Sequence, residues 1–211
     1  MISEGKVGEQ LKLADGTPGA VRLDNSAALV TTDGHAKYQE ATLRGNVFSG
    51  SITGQVTTVG LATTYTGLVL SNPVASPVNL VLLKGGYSFI VVFPAVAHIG
   101  LMTGYNNGTN VTHTAAVTTR SQFFTGDSGG GYGKLDSSAT LPTAPTVNQI
   151  LGSGLTGAAT TNPQITNGMV DLDGSIILPP GAYVAFYTST VSGAAGGAFS
   201  FTWEEIPRAN Q

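Results

Sequence analysis

A chain of 211 residues with 0 Cys, 10% charged side chains and a formal net charge of -3 suits one large domain, or a domain with an arm. The cysteine count excludes disulfides, thiolate metal sites and cysteine catalysis, and the slight acidity leaves no electrostatic footprint for nucleic acid. Charge lies well below the ~25% of ordinary domains, and 29 glycines fit short strands joined by tight turns, on a surface largely covered by neighbours.

The start, MISEGKVGEQ, has no basic region followed by an apolar run, so no signal peptide is expected. Residues 1–45 hold 11 of the 21 charged side chains, and this segment is of a different kind from the rest. Leu11–Asp24 alternates around Asp15-Gly16-Thr17-Pro18-Gly19, the pattern of a hairpin. His35–Arg44 is composed of good helix formers and ends at Gly45, which supplies a left-handed C-cap. We read residues 1–49 as an N-terminal arm made of this hairpin and short helix. The arm holds Leu11, Leu13, Val21, Leu23, Leu29, Val30, Tyr38 and Leu43, too many apolar residues for a solvated tail and too few to fold alone. It is therefore expected to dock on another protein chain, with Arg22, Lys37, Tyr38 and Arg44 as candidate partner-binding residues.

Residues 50–211 read as an all-β domain. Strands are expected at Gln55–Gly60, Tyr65–Leu70, Asn79–Phe93 (two, split at Gly85-Gly86), Ala97–Thr103, Val111–Thr118, Val147–Leu151, Ile165–Leu172, Ser175–Leu178, Ala182–Thr190 and Phe199–Ile206. Turn signals at Asn72-Pro73, Asn106-Asn107-Gly108, Asp173-Gly174 and Pro179-Pro180-Gly181 punctuate them. Short strands at this spacing predict an antiparallel β-sandwich or jelly roll. Thr125–Pro163 is rich in Gly, Ser, Thr and Pro and reads as a long surface excursion. In the last strand Phe199, Phe201 and Trp203 alternate with Ser200, Thr202 and Glu204, so the aromatics share one face, directed at the core or a subunit interface. The longest apolar stretch, Tyr87–Met102, is broken by Pro94, His98 and Gly100 and is shorter than the ~20 residues that span a bilayer. A soluble protein is expected.

Few constellations carry chemistry. Gly126-Asp127-Ser128-Gly129-Gly130-Gly131 resembles the nucleophile loop of chymotrypsin-like proteases, where glycine amides form an oxyanion hole. The triad order of that family fails here, because no acidic residue lies between His98 and Asp127, and the segment reads as a flexible glycine loop. Asp171-Leu172-Asp173-Gly174 superficially resembles a calcium loop, but the strand residues after it lack the further oxygen ligands, so a hairpin turn is expected. His35, His98 and His113 have no paired spacing for a metal, and His98 reads as a core or interface histidine. Glu204 and Glu205 are strand neighbours and face opposite ways. No catalytic residue, metal site or cofactor is expected.

The arm LADGTPGAVRLDNSAALVTTDGHAKYQEATLRGNVFSG, the segment TTYTGLVLSNPVASPVNLVLLKGGYSF and the close GSIILPPGAYVAFYTSTVSG with FSFTWEEIP resemble small virion proteins of tailed bacteriophages, in particular capsid decoration (cement) proteins. The resemblance covers well over half of the chain and implies a jelly-roll or related fold and a non-enzymatic, structural role on the virion capsid surface, after synthesis in the bacterial host cytoplasm. It also implies a homotrimer bound to the major capsid protein, with no nucleic acid, membrane or small-molecule substrate. A tail-fibre or receptor-binding β module is the alternative, with Tyr105 and Tyr132 as its exposed loop aromatics.

Overall fold

The computed structural model describes residues 36–55, 61–89, 93, 96–124, 130–154, 166–191 and 196–208. Two compact units divide the chain, Met1–Gln39 and Glu40–Gln211. The hairpin expected at Leu11–Asp24, Arg22 and residues 56–60 lie outside the described residues.

The helix expected over His35–Arg44 is a single turn, α1 (Gln39–Leu43). Its end is as the sequence signals. Gly45 has φ 75, the Asn46 amide donates to the Ala41 carbonyl (3.0 Å) and the Gly45 amide to Thr42 (2.9 Å). These two bonds form a Schellman cap, in which glycine tolerates the left-handed conformation that a side chain resists.

The strands are β1 (Val47–Gln55), β2 (Thr64–Ser71), β3 (Val78–Phe89), β4 (Ala97–Tyr105), β5 (Thr112–Val117), β6 (Arg120–Ser121), β7 (Lys134–Thr140), β8 (Thr146–Gly154), β9 (Thr166–Asp171), β10 (Ile177–Leu178), β11 (Ala182–Thr188) and β12 (Gly197–Pro207). One sheet runs β10–β3–β12–β1–β6, with β9 also paired to β3; the other runs β5–β7–β2–β11–β4–β8. All the pairings are antiparallel, and the two sheets pack face to face as an all-β sandwich. The first strand begins at Val47, so residues assigned to the arm from composition already pair with β12, Phe48 opposite Trp203.

The inter-sheet core follows from alternation. Phe199, Phe201 and Trp203 of β12 are buried, as their spacing predicts. Phe186 of β11 lies between Phe199 (centroids 4.8 Å) and Phe201 (4.7 Å), and Phe48 stacks on Trp203 (6.2 Å). Such ring pairs add to the burial of their large apolar areas. Leu68 and Leu70 of β2, Ile99 and Leu101 of β4 and Leu80 and Leu82 of β3 complete the same cluster.

The structure corrects two expectations about strand boundaries. The first is the split of Asn79–Phe93 at Gly85-Gly86: β3 runs through both glycines, which pair with Phe201 and Ser200 of β12. The break is a β-bulge just upstream, where Trp203 pairs with Leu82 but Thr202 with Lys84. The unpaired Leu83 shifts the phase, so Leu80 and Leu82 face the core before it and Phe89 after it. The second is the excursion Thr125–Pro163, which contributes β7 to the second sheet in addition to β8, the strand expected at Val147–Leu151. The lysine, aspartate, serines and threonine of β7 hide it from hydropathy, yet it lies between β5 and β2 and buries Leu135 and Ala139.

A second apolar cluster covers the outer face of the second sheet: Tyr65, Val69, Met102, Val111, Ala139, Leu141, Tyr183 and Ala185, with Leu61 and Tyr187 against them. Its tyrosines are tied down. The Tyr65 hydroxyl donates to the Phe186 carbonyl (2.7 Å) and the Tyr183 hydroxyl to the Thr143 carbonyl (2.5 Å). Burial pushes both phenols above their ordinary range.

Candidate functional site

The glycine run singled out in the sequence is described from Gly130 onward; Gly126–Gly129, with Ser128, lie outside the described residues. The segment from Gly131 to Gly133 is held by a carboxylate clamp. Glu205 continues the inward face of β12 beyond Trp203 and is 6% exposed, while Glu204 points the other way, as strand geometry requires. Glu205 accepts from the Tyr132 amide (Oε2, 2.9 Å), the Gly133 amide (Oε1, 2.9 Å) and Trp203 Nε1 (Oε1, 3.2 Å). Three N–H donors offset the burial of this carboxylate. The glycines are a packing requirement. A Cβ on Gly131 would meet Glu205 Oε1 at 2.7 Å and Phe48 at 3.1 Å, and one on Gly133 would meet Trp203 Nε1 at 2.9 Å. This clamp fixes the segment entering β7 onto β12.

Beside it lies the molecule's one described pairing of an imidazole with a buried carboxylate. Asp136 of β7 is fully buried, and its Oδ2 sits 2.5 Å from Nδ1 of His113 on β5. Its Oδ1 has no hydrogen-bond partner among the described residues. His113 is exposed and lines a cavity of about 470 Å³ together with Thr118, Thr119, Gly131 and Lys134. With the Nδ1 position engaged by Asp136, the imidazole presents Nε2 as its remaining hydrogen-bonding atom. No group of three His, Cys, Asp or Glu residues that could hold a metal ion occurs among the described residues. Sequence reasoning missed this pair, because 23 positions separate its members and only the β5–β7 pairing joins them. Hydrophobic patterning gave no sign of that pairing.

The other sequence candidates are placed separately. The Lys37 ammonium lies 5.5 Å from the centre of the Tyr38 ring. Arg44 pairs with Glu40 one helical turn away (2.9 Å), both exposed. His98, expected in the core or an interface, is exposed on β4; its amide donates to Ser189 Oγ (2.8 Å) and its carbonyl accepts from the Ser189 amide (3.0 Å). The Asp173-Gly174 turn has the expected chemistry but a different place. Both residues have positive φ (49 and 80) and the Ser175 amide closes the turn on Leu172 (2.8 Å), yet β9 and β10 on either side pair with β3 and not with each other. The turn is an outward loop in one long edge strand, opposite the β3 bulge, and not a hairpin. Asp171 is committed to Lys84 across the strands (3.3 Å).

One flank of the sandwich carries two neighbouring edges, β8 of the second sheet and β9 of the first. A Cβ on Gly152 of β8 or Gly168 of β9 would meet the same Tyr87 hydroxyl, at 3.2 and 2.7 Å. Neither strand has an outer partner among the described residues. β8, TVNQILGSG, holds no charged residue and no proline, and Ile150 on it is 52% exposed; Met169 on β9 is 70% exposed.

No protein-family model, curated protein or solved structure matches the chain.

Proposed function

We propose that this chain is a non-enzymatic structural protein of a phage virion, a cement protein that decorates the capsid and stabilises it. One observation carries the reading: the open flank of β9 and of β8, the latter without any charged residue. An edge strand offers a row of free N–H and C=O groups, and soluble monomers blunt such edges with lysine, proline or a covering element. β8 has neither residue, and both edges expose a large apolar side chain. A flank of this composition is at home against a neighbouring subunit, where strand edges and apolar side chains are covered together.

Connectivity supports the same reading. Without β5–β7, the chain passes through β9/β10–β3–β12–β1 in one sheet and β2–β11–β4–β8 in the other, which is the strand order of a jelly roll, an architecture of viral capsid and lectin domains. Fold alone does not carry function; the sequence resemblance to phage decoration proteins supplies the rest. In this reading the arm docks on the major capsid protein or a neighbouring copy, and the assembly is a homotrimer.

The test is the copy number of the chain in purified virions, measured by quantitative mass spectrometry against the major capsid protein. A decoration protein is present in a fixed lattice ratio to the shell. A few copies per particle would assign it to the tail instead. Labelling of Ser128 by a fluorophosphonate probe would overturn the non-enzymatic part.

A further inference from the structure

At the opposite end of that flank, where β8 begins, a cleft of about 470 Å³ is bounded by the ends of β4, β8 and β10. Its size is that of a site for a small ligand. Thr103 and Tyr105 of β4, Thr146 and Asn148 of β8, Ser175 and Pro179 line its rim. The buried Leu178, Ala182 and Tyr183 also contribute to its walls. None of the lining residues is charged.

Tyr105 is the feature that sets this cleft apart from ordinary surface. The residue is 56% exposed, yet its backbone is fixed on rigid elements. It pairs with Ala182 in the β4–β11 ladder, and the next amide, Asn106, donates to the Gly181 carbonyl (3.0 Å). The Asn106 side chain then closes the turn by accepting from the Gly108 and Thr109 amides (2.9 and 3.0 Å). The opposite wall is held by pairing of Thr146 with Thr103. With the backbone fixed in this way, only the rotamers of the Tyr105 side chain itself remain to be ordered on binding.

The lining selects the chemistry of a ligand. An anionic or cationic group would find no countercharge. A purely apolar molecule would strip water from the threonine and serine hydroxyls and the Asn148 amide without replacing their hydrogen bonds. A pyranose offers a face of C–H groups for an aromatic ring and an edge of hydroxyls for just such neutral donors and acceptors. We propose that this cleft binds a neutral saccharide, with a sugar ring against Tyr105 and its hydroxyls on Thr146, Asn148 and Ser175. The proposal does not depend on the capsid assignment.

The experiment is saturation-transfer difference NMR and calorimetry on the full chain with glucose, maltose and N-acetylglucosamine as probes, and glucuronate as the charged control. Binding of at least one neutral probe in the millimolar range or tighter is expected, with saturation strongest on the ring C–H protons. Tyr105→Ala weakens it by about tenfold or more, Tyr105→Phe keeps it within about threefold, and glucuronate binds more weakly than the neutral sugar. Tyr105 is exposed, so both variants fold, which circular dichroism verifies. No binding of any neutral probe, or binding that survives Tyr105→Ala unchanged, overturns the proposal.

Discussion

The two sheets treat their outer faces differently. On the second sheet, Val69, Tyr183 and Ala185 are as buried outside as Leu70, Val184 and Phe186 are inside. On the first, the outer face carries Ser51 and Thr53 of β1, Ser200 and Thr202 of β12 and Ser88 of β3, none of them buried. A strand covered on both faces reads as a continuous apolar run, and one covered on a single face reads as an alternation. The sheets thus show how far each layer of the molecule is wrapped, and which one is left to meet solvent or a neighbour.

Substitutions at matched positions can break this contrast. The largest effect is expected for Val69→Lys, which places an unpaired charge inside the outer cluster and should cost roughly 3–5 kcal/mol, enough to unfold a marginal domain. Trp203→Ala removes the largest fully buried side chain of the inner face and should cost about 3–5 kcal/mol in denaturant melts. Wild-type melting of either variant would contradict the burial of its site. Tyr65→Phe is milder. It leaves the Phe186 carbonyl unpaired in a dry site, at about 1–2 kcal/mol.

That variant also has a pH signature. Burial raises the Tyr65 phenol in the folded protein, so the unfolded chain ionises first. The neutral phenol's contribution to stability is present in full below about pH 10 and is lost as pH rises above it. Tyr65→Phe should therefore lose stability less steeply in that alkaline window, and an unchanged slope would count against the assignment. Smallest of all, Ser51→Lys on the outer face of the first sheet should change stability by no more than about 0.5 kcal/mol. A loss like that of Val69→Lys would mean that this face, too, is covered.

Legibility in the sequence tracks the same physics. β12 and its aromatic row could be read because one side of the strand is wet. The C-terminal end of α1 and the Asp173-Gly174 turn could be read because glycine and aspartate report local backbone geometry. β7 could not, since KLDSSAT buries a single large apolar residue, Leu135, beside Asp136, which His113 engages, and the small Ala139. The partner of the Asp173-Gly174 turn was equally hidden, because local chemistry fixes a turn's type but not which strand lies beside it. The His113–Asp136 pair and the seating of Gly131 and Gly133 on Glu205 depend on contacts between distant segments, to which no sequence period corresponds. Tyr105 and the turn after it were legible, but the cleft they border was not, since its walls come from three strands.

The central claim is that the flank of β8 and β9 is covered by neighbouring subunits. Sedimentation velocity over a concentration series, comparing the wild-type chain with the double variant Ile150→Lys, Met169→Lys, tests it most directly. Both side chains are exposed, so the thermal midpoint of the variant should stay at that of the wild type. The account predicts a discrete oligomer for the wild type and a folded monomer for the variant. A wild-type chain that remains monomeric at every concentration, or a variant that assembles as the wild type does, would contradict it.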